Sequence, residues 1–277
     1  MGFTVNRLSP VIGAEIIGAD LSQPVDDEAF AALRRAWLDA DGVLVLRDQH
    51  LSPEHHIAFS RRFGALEKHV LATYLLPGHP EIYRVSNKVK DGKPEGRSNA
   101  GTYWHSDLSY MRPAAMASLL YAVEIPATGG DTMFANMYAA YDRIPAELKA
   151  RLEGHTVLQI HDYKRTERID PDGDIEGMLH QHQPIFVTNP ETGRRALYVN
   201  RLMSAKIDGF PRAESDAILE QLFEIAEDPD LYYEHTWRLG DLLMWDNRCS
   251  IHARTEFPKD EDRLLRRCTV KGEAMRA

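Results

Sequence analysis

From residue 117 onward the chain is a succession of short apolar runs, and this feature most restricts what it can fold into. "ASLLYAVE" (117–124), "DTMFAN" (131–136), "QPIFVTNP" (183–190), "RALYVN" (195–200), "LYYEHTWR" (231–238), "DLLMWD" (241–246) and "RLLRRCTV" (263–270) all have the length and composition of strands. "NPETGRR" and "RLGD" supply the Asn, Pro, Gly and Asp that tight reversals need between successive strands. Hairpins of this kind build antiparallel sheets, unlike alternating βαβ units. Helical patterns interrupt at 137–153 and 212–227, the second with Ile218, Leu219, Leu222, Phe223 and Ala226 on one face. The expected fold is mainly β with flanking helices, as a sandwich or jelly roll.

The first half carries fewer strands. "DDEAFAALRRAWLDADG" places Phe30, Leu33, Trp37 and Leu38 on one helical face, with Gly42 at its end. "VLVLRD" (43–48) reads as a buried strand. "SPEHHIAFSRRFG" carries Ser52 as N-cap, Pro53 at the first helical position and Gly64 at the exit. "EIYRVSN" (81–87) is another strand, and residues 88–102 form a polar, Gly- and Lys-rich loop of the sort that makes lids over sites. No linker divides the 277 residues, so one domain over 1–277 is expected.

Composition excludes several partners. A formal charge of −9 without a long basic run argues against nucleic acid and anionic membrane surfaces. Hydrophobic and charged contents of 43% and 27% are those of a soluble globular protein, and no apolar stretch approaches a membrane span. Only two cysteines are present, Cys249 and Cys268, and the start lacks a signal-peptide pattern. A cytoplasmic protein is expected.

"GTYWHSDLSYM" (101–111) holds the first chemical signal. In an extended chain His105 and Asp107 point the same way, their Cα atoms ~6–7 Å apart, so both can reach one ion. Two unrelated polar residues on a solvated strand would look the same, so a third ligand is needed. The chain has twelve histidines. His50, His55 and His56 fall on or near an amphipathic helix and read as surface residues, and His180 and His182 of "LHQHQP" as members of a polar loop. His252 follows a buried strand and the polar turn "DNR" in "DLLMWDNRCSIHARTEF". Opposite a His-x-Asp edge it would complete two imidazoles and one carboxylate on one face of a metal, the set that suits non-haem Fe(II) better than zinc or calcium. In "RLLRRCTV" the period of two puts Arg263, Leu265, Arg267 and Thr269 on one face and Arg266 on the other. Two inward guanidiniums about 13 Å apart are costly unless each meets an anion. A basic edge strand is the competing explanation, and Arg266 is assigned to it.

Taken together, "GAEIIGADLSQP", "HIAFSRRFGALEKH", "WHSD", "PATGGDT", "GRRALYVN", "WDNRCSIH" and "RLLRRCTV" resemble, over nearly the whole chain, the taurine dioxygenase and 2,4-dichlorophenoxyacetate dioxygenase family (TauD/TfdA). The resemblance implies a cupin-like double-stranded β-helix and an enzyme using Fe(II), 2-oxoglutarate and O2. It places the metal on His105, Asp107 and His252, the cosubstrate on Thr132 and Arg263, and an anionic small-molecule substrate on His69 and Arg267. Succinate and CO2 would leave as the substrate is hydroxylated, and Asp107 favours hydroxylation over halogenation. Tyr103 and Trp104 would wall the pocket. Two positions depart from the taurine branch: Ala72 stands where it has a tyrosine, with Tyr74 nearby, and Gly101 where it has an asparagine, with Asn99 nearby. That leaves the acid open among sulfonates, sulfate esters and carboxylic acids, with C–S or C–O cleavage a possible sequel. A homo-oligomer, dimer or tetramer, is the expected assembly. The alternatives are a non-catalytic anion-binding or metal-sensing module, and a metal-dependent hydrolase, although the chain has neither HExxH nor GxSxG.

Overall fold

Strand alternation explains the layering. A computed structural model describes residues 2–162 and 169–277. Its largest sheet has eight strands in the order Thr4–Arg7, Ala14–Ile17, Val43–Leu46, Leu242–Asp246, Ala115–Glu124, Leu264–Lys271, His79–Ser86 and Leu75–Leu76. All neighbours are antiparallel except Ala14–Ile17 against Val43–Leu46. A second sheet orders Tyr232–His235, Thr132–Asn136 and Ser250–Arg254. Along Val43–Leu46, Val43 and Val45 turn inward to meet Leu120, Leu243, Leu265 and, from the second sheet, Phe134. Leu44 and Leu46 turn outward, onto Phe30, Leu33 and Trp37 of the helix Asp27–Asp39 and Phe59 of Pro53–Arg61. The second sheet's outer face, Ala135 and Ile251, packs on Leu219, Leu222 and Phe223 of Arg212–Ala226. Both sheets are thus covered outside by helices, and the space between them holds the inward strand residues. This is the jelly-roll architecture.

The helix starts follow their sequence signals. Asp26 accepts from the Ala29 amide and Ser52 from the His55 amide, the capping bonds that begin the first two helices. The expected helix over 137–153 is two helices, Met137–Arg143 and Ala146–Leu152. Pro145 lacks an amide donor and drives Ile144 out of helical geometry (ψ 132°). The run 183–190 likewise divides: Leu179–Pro184 pairs with Thr156–His161, and Phe186–Thr188 with Arg195–Leu197. His180 and His182 therefore sit on a strand rather than in a loop, and His182 meets Asp208 at 2.6 Å. The 88–102 loop contains a two-residue hairpin, Val89–Lys90 with Lys93–Pro94. No helix among the described residues is long and apolar enough to cross a membrane.

His56 corrects the expectation of a surface residue. It is fully buried, its Nε2 lies 3.2 Å from the Leu119 carbonyl, and burial pulls its pKa down to about 4. A histidine held neutral in the fold binds its proton more readily when unfolded, so its contribution is intact above about pH 6.5 and is lost as pH falls toward 4. By pH 5 that loss is about 2 kcal/mol at ~1.4 kcal/mol per pKa unit. Urea unfolding at pH 7.5 and pH 5 should show His56→Gln losing less stability on acidification than the unmodified protein, by roughly that amount. Equal losses in both would show that His56 does not carry the acid sensitivity.

Candidate metal and cosubstrate site

His105, Asp107 and His252 come together between the sheets, all buried, with one ligand atom from each lying within 4.8 Å of the others. His252 belongs to Ser250–Arg254, and its ring rests on Trp245 and Phe134, centroids 4.6 and 6.0 Å away. His105 is brought beside it by a single antiparallel bridge, in which each amide donates to the other's carbonyl at 3.0 and 2.9 Å. Asp107 is not on an extended strand. The chain turns there, with Leu108 at φ +55°, and the turn brings the carboxylate back toward both rings. Its oxygens lie 3.9 Å from Nε2 of His105 and 3.9 Å from Nε2 of His252.

Each candidate ligand is oriented by its neighbours. Nδ1 of His105 donates to the Tyr103 carbonyl at 2.8 Å, which leaves Nε2 as the lone-pair nitrogen facing Asp107. Ser118 donates to Asp107 Oδ2 at 2.6 Å, and Arg267 reaches Oδ1 at 2.5 Å. Asn247 fixes the turn: its Oδ1 accepts from the Asp107 amide and the Trp245 indole, and its Nδ2 donates to Ser118. Burial would raise the Asp107 pKa, but Arg267, then His252 and His105, overcome it and hold the carboxyl well below the ordinary range. Both imidazoles are shifted down, His252 furthest, by burial first. Two neutral imidazoles and an ionised carboxylate are the states a divalent metal requires. His252 Nδ1 is buried without a partner, and the donor set fits Fe(II).

Two cavities meet at this cluster. The inner one is lined by His105, His252, Thr132, Arg254, Arg263 and Arg267. Trp237 donates to Thr132 Oγ1 at 3.1 Å, so the Thr132 hydroxyl proton is free to point into the cavity. Arg263 is buried, donates through Nη2 to the Gly130 carbonyl at 3.0 Å, and has no partner at Nε. Gly130, at φ +69°, permits that approach, since a Cβ there would stand 3.0 Å from Arg263 Nε. Burial, and then the charge of Arg254, pull the Arg263 pKa down to about 9, with Asp131 opposing. A buried cation in that setting calls for an anion.

The outer cavity is lined by His69, Tyr83, Arg97, Asn99, Tyr103, Leu108, Tyr110, His161, Met203 and Arg267, among others. His69 stacks on Tyr83 with centroids 4.0 Å apart, and its Nδ1 accepts from the Leu71 amide at 3.1 Å. Burial, then Arg267, lower its pKa to about 3. Arg267 lies 5.2 Å over the Tyr83 ring. The 88–102 loop contributes Arg97, Asn99, Ala100, Gly101 and Thr102 to the wall.

The sequence-predicted residues therefore fall as follows. His105, Asp107 and His252 form one cluster, Thr132 and Arg263 line the inner cavity, His69 lines the outer one, and Arg267 lines both. Leu264–Lys271 is not an edge strand, because it lies between Ala115–Glu124 and His79–Ser86, so the edge-protecting role given to Arg266 does not hold. Trp104 does not wall the pocket. It packs outside, against Tyr232 at 5.5 Å, and Tyr103 alone of the pair faces the cavity. The sequence reading missed Ser118, Asn247, Arg254 and the direct Arg267–Asp107 ion pair. For Asn247 there was a signal, the polar triplet "DNR" between two buried strands. Ser118 gave none, because it sits inside an otherwise apolar run.

Residues 4–269 match the family described as "Taurine catabolism dioxygenase TauD, TfdA family". The chain belongs to that family. The α-ketoglutarate-dependent 2,4-dichlorophenoxyacetate dioxygenase of Cupriavidus pinatubonensis is 34% identical, over 99% of this chain and 100% of that one. A taurine dioxygenase from Burkholderia xenovorans superposes with a TM-score of 0.84 at 33% identity, covering 99% of this chain and 90% of that chain. AAD-2, solved with Mn(II) and N-oxalylglycine, gives 0.85 at 31%, covering all of both chains. Family membership makes this chain a 2-oxoglutarate-dependent dioxygenase using Fe(II) and O2. The sensing-module alternative finds no support among these relatives.

Proposed function

We propose that this dioxygenase hydroxylates a small organic acid next to an ether or acidic sulfur group, with Fe(II) on His105, Asp107 and His252. The observation that carries the reading is the junction of two cation-lined cavities at one buried 2-His-1-carboxylate cluster. When bound, iron and 2-oxoglutarate supply oxidising power, consuming O2, releasing succinate and CO2, and converting a substrate C–H bond to C–OH. Everything else is done by the chain. In the inner cavity Arg263 pairs with the far carboxylate of 2-oxoglutarate, and the Thr132 hydroxyl donates to it. In the outer cavity the acid group of the substrate meets Arg267 and His69. Because His69 Nδ1 accepts from the Leu71 amide, its proton sits on Nε2, and the neutral ring can donate from there without titrating. Leu108, Tyr110 and Met203 form an apolar wall for the remainder of the substrate. Positioning between these contacts selects the C–H bond.

Hydroxylation beside an ether oxygen or a sulfonate sulfur gives a carbon bearing a hydroxyl next to that heteroatom. The hydroxyl gives up its proton and becomes the carbonyl as the C–O or C–S bond breaks and the alcohol, phenol or sulfite leaves. Two of the relatives, a 2,4-dichlorophenoxyacetate dioxygenase and a taurine dioxygenase, are named for substrates of that kind. A panel of phenoxyacids, sulfonates, alkyl sulfates and amino acids, scored for substrate-dependent succinate, tests it. One acidic class should raise succinate release at least about tenfold over the substrate-free rate, a difference of ~1.4 kcal/mol in barrier. No stimulation by any anion, with stimulation by a cationic or neutral compound, would refute the assignment of the outer cavity. The same reading takes 1–277 as one domain in a cytoplasmic homo-oligomer, dimer or tetramer, that binds no nucleic acid. In support are the match over 4–269, the two buried free cysteines and the charge of −9.

A further inference from the structure

Buried arginines in this protein are normally paired with a carboxylate. Arg47 meets Asp241 at 2.7 Å, Arg248 meets Asp246 at 2.7 Å, and Arg267 meets Asp107. Arg263 and Arg254 are different. Arg254 is half-buried at the end of Ser250–Arg254, two residues past His252, so the strand period puts its side chain on the same face as the metal-ligand candidate. Both guanidiniums lie over one Phe257 ring, at 4.8 Å for Arg254 and 5.7 Å for Arg263, and both line the inner cavity. Their partners are carbonyls: Ala100 and Thr255 for Arg254, Gly130 for Arg263. Among the described residues neither has a carboxylate within ion-pair distance, although the chain carries a net charge of −9. Carbonyl dipoles solvate a guanidinium without cancelling its charge, so two like charges share one corner of the inner cavity.

We propose that Arg254 is a second binding residue for the far carboxylate of 2-oxoglutarate, sharing it with Arg263; this rests on the cosubstrate reading above. One carboxylate between two guanidiniums relieves their repulsion and uses the unpartnered Arg263 Nε. Arg254 also joins the two cavities. Its Nε donates to Ala100 at 3.3 Å and its amide to Gly101 at 2.7 Å, and both of those residues line the outer cavity as well. The arrangement makes the site selective for 2-oxo acids that carry a second carboxylate at the far end.

The test is calorimetric titration of the Mn(II)-loaded protein with 2-oxoglutarate and with 2-oxobutyrate, which keeps the chelating 2-oxo acid and lacks the far carboxylate. Arg254→Ala should weaken 2-oxoglutarate binding about 10- to 50-fold and leave 2-oxobutyrate within about twofold of the unmodified protein. Arg254→Lys, which keeps a charge without the fork, should fall between. If the alanine variant fails to fold, Arg254→Gln with a native melting profile carries the same comparison. Unchanged 2-oxoglutarate affinity, or equal weakening of both acids, would overturn the role proposed for Arg254 and leave the rest of the site standing. Failure of the unmodified protein to bind 2-oxoglutarate at all would instead overturn the cosubstrate reading itself.

Discussion

Replacing any one of His105, Asp107 or His252 with alanine should abolish the visible charge-transfer band that the anaerobic protein develops with Fe(II) and 2-oxoglutarate. The band requires a 2-oxo acid chelated to iron, and in the proposed site the iron would need all three side chains, whose ligand atoms already lie within 4.8 Å of one another. Loss of one ligand from a three-ligand site leaves too little to hold a divalent ion against water. The variants differ in what else they disturb. Asp107→Ala strips Arg267 of its carboxylate at 2.5 Å, an uncompensated buried charge costing about 3–5 kcal/mol. His252→Ala removes a ring packed on Trp245 and Phe134 but orphans no charge. Metal-free melting curves should therefore rank Asp107→Ala as the less stable of the two, while both lack the band. Retention of the band by all three variants would show that the iron sits elsewhere. Because burial shifts both imidazoles below the ordinary histidine range, they stay neutral at lower pH than exposed histidines would. Metal affinity should accordingly hold through neutral pH and weaken only as acid protonates them.

What the sequence made legible was whatever is encoded locally. The inward and outward residues of Val43–Leu46 follow from a period of two, and the starts of the first two helices from Asp26 and Ser52. His105 and Asp107 are neighbours in sequence, and the motif around His252 is distinctive enough to pair with them. Contacts that depend on which strands lie side by side were not legible. Ser118 reaches Asp107 because Ala115–Glu124 lies beside Leu242–Asp246, and nothing in "ASLLYAVE" distinguishes that serine from one satisfied by the backbone. The burial of His56 depends on its helix pressing against the outer face of the large sheet, where Leu119 offers a carbonyl. Trp104 was misplaced for a related reason: its side chain turns to Tyr232, away from the cavity. For Arg254, the two-residue spacing from His252 was visible, but the convergence with Arg263 over Phe257 required the fold.

The ion pair between Arg267 and Asp107 changes what should be expected of Arg263, just before the strand Leu264–Lys271, and of the two arginines within it. Arg263→Ala removes the buried fork assigned to the far carboxylate of 2-oxoglutarate and leaves that carboxylate without its assigned cation. Affinity for 2-oxoglutarate, read from the charge-transfer titration, should fall by at least about a hundredfold, or roughly 2.7 kcal/mol. Arg267→Ala should act differently, because Arg267 touches the Asp107 carboxylate and lines both cavities. Without it Asp107 loses its strongest stabilising neighbour, so iron affinity should weaken as pH falls sooner than in the unmodified protein. Once iron is saturating, 2-oxoglutarate should bind within a few-fold of normal, while stimulation of succinate release by the acidic substrate is lost. Arg266 faces away from both cavities, toward the outer layer that holds His56. Arg266→Ala should therefore leave both affinities nearly unchanged. A hundredfold loss of 2-oxoglutarate affinity in Arg266→Ala, with Arg263→Ala unaffected, would mean that the strand presents its other face to the site. The register that pairs Arg267 with Leu120 and Tyr83 would then be wrong by one residue, since a single-residue slip exchanges every side chain between the two faces.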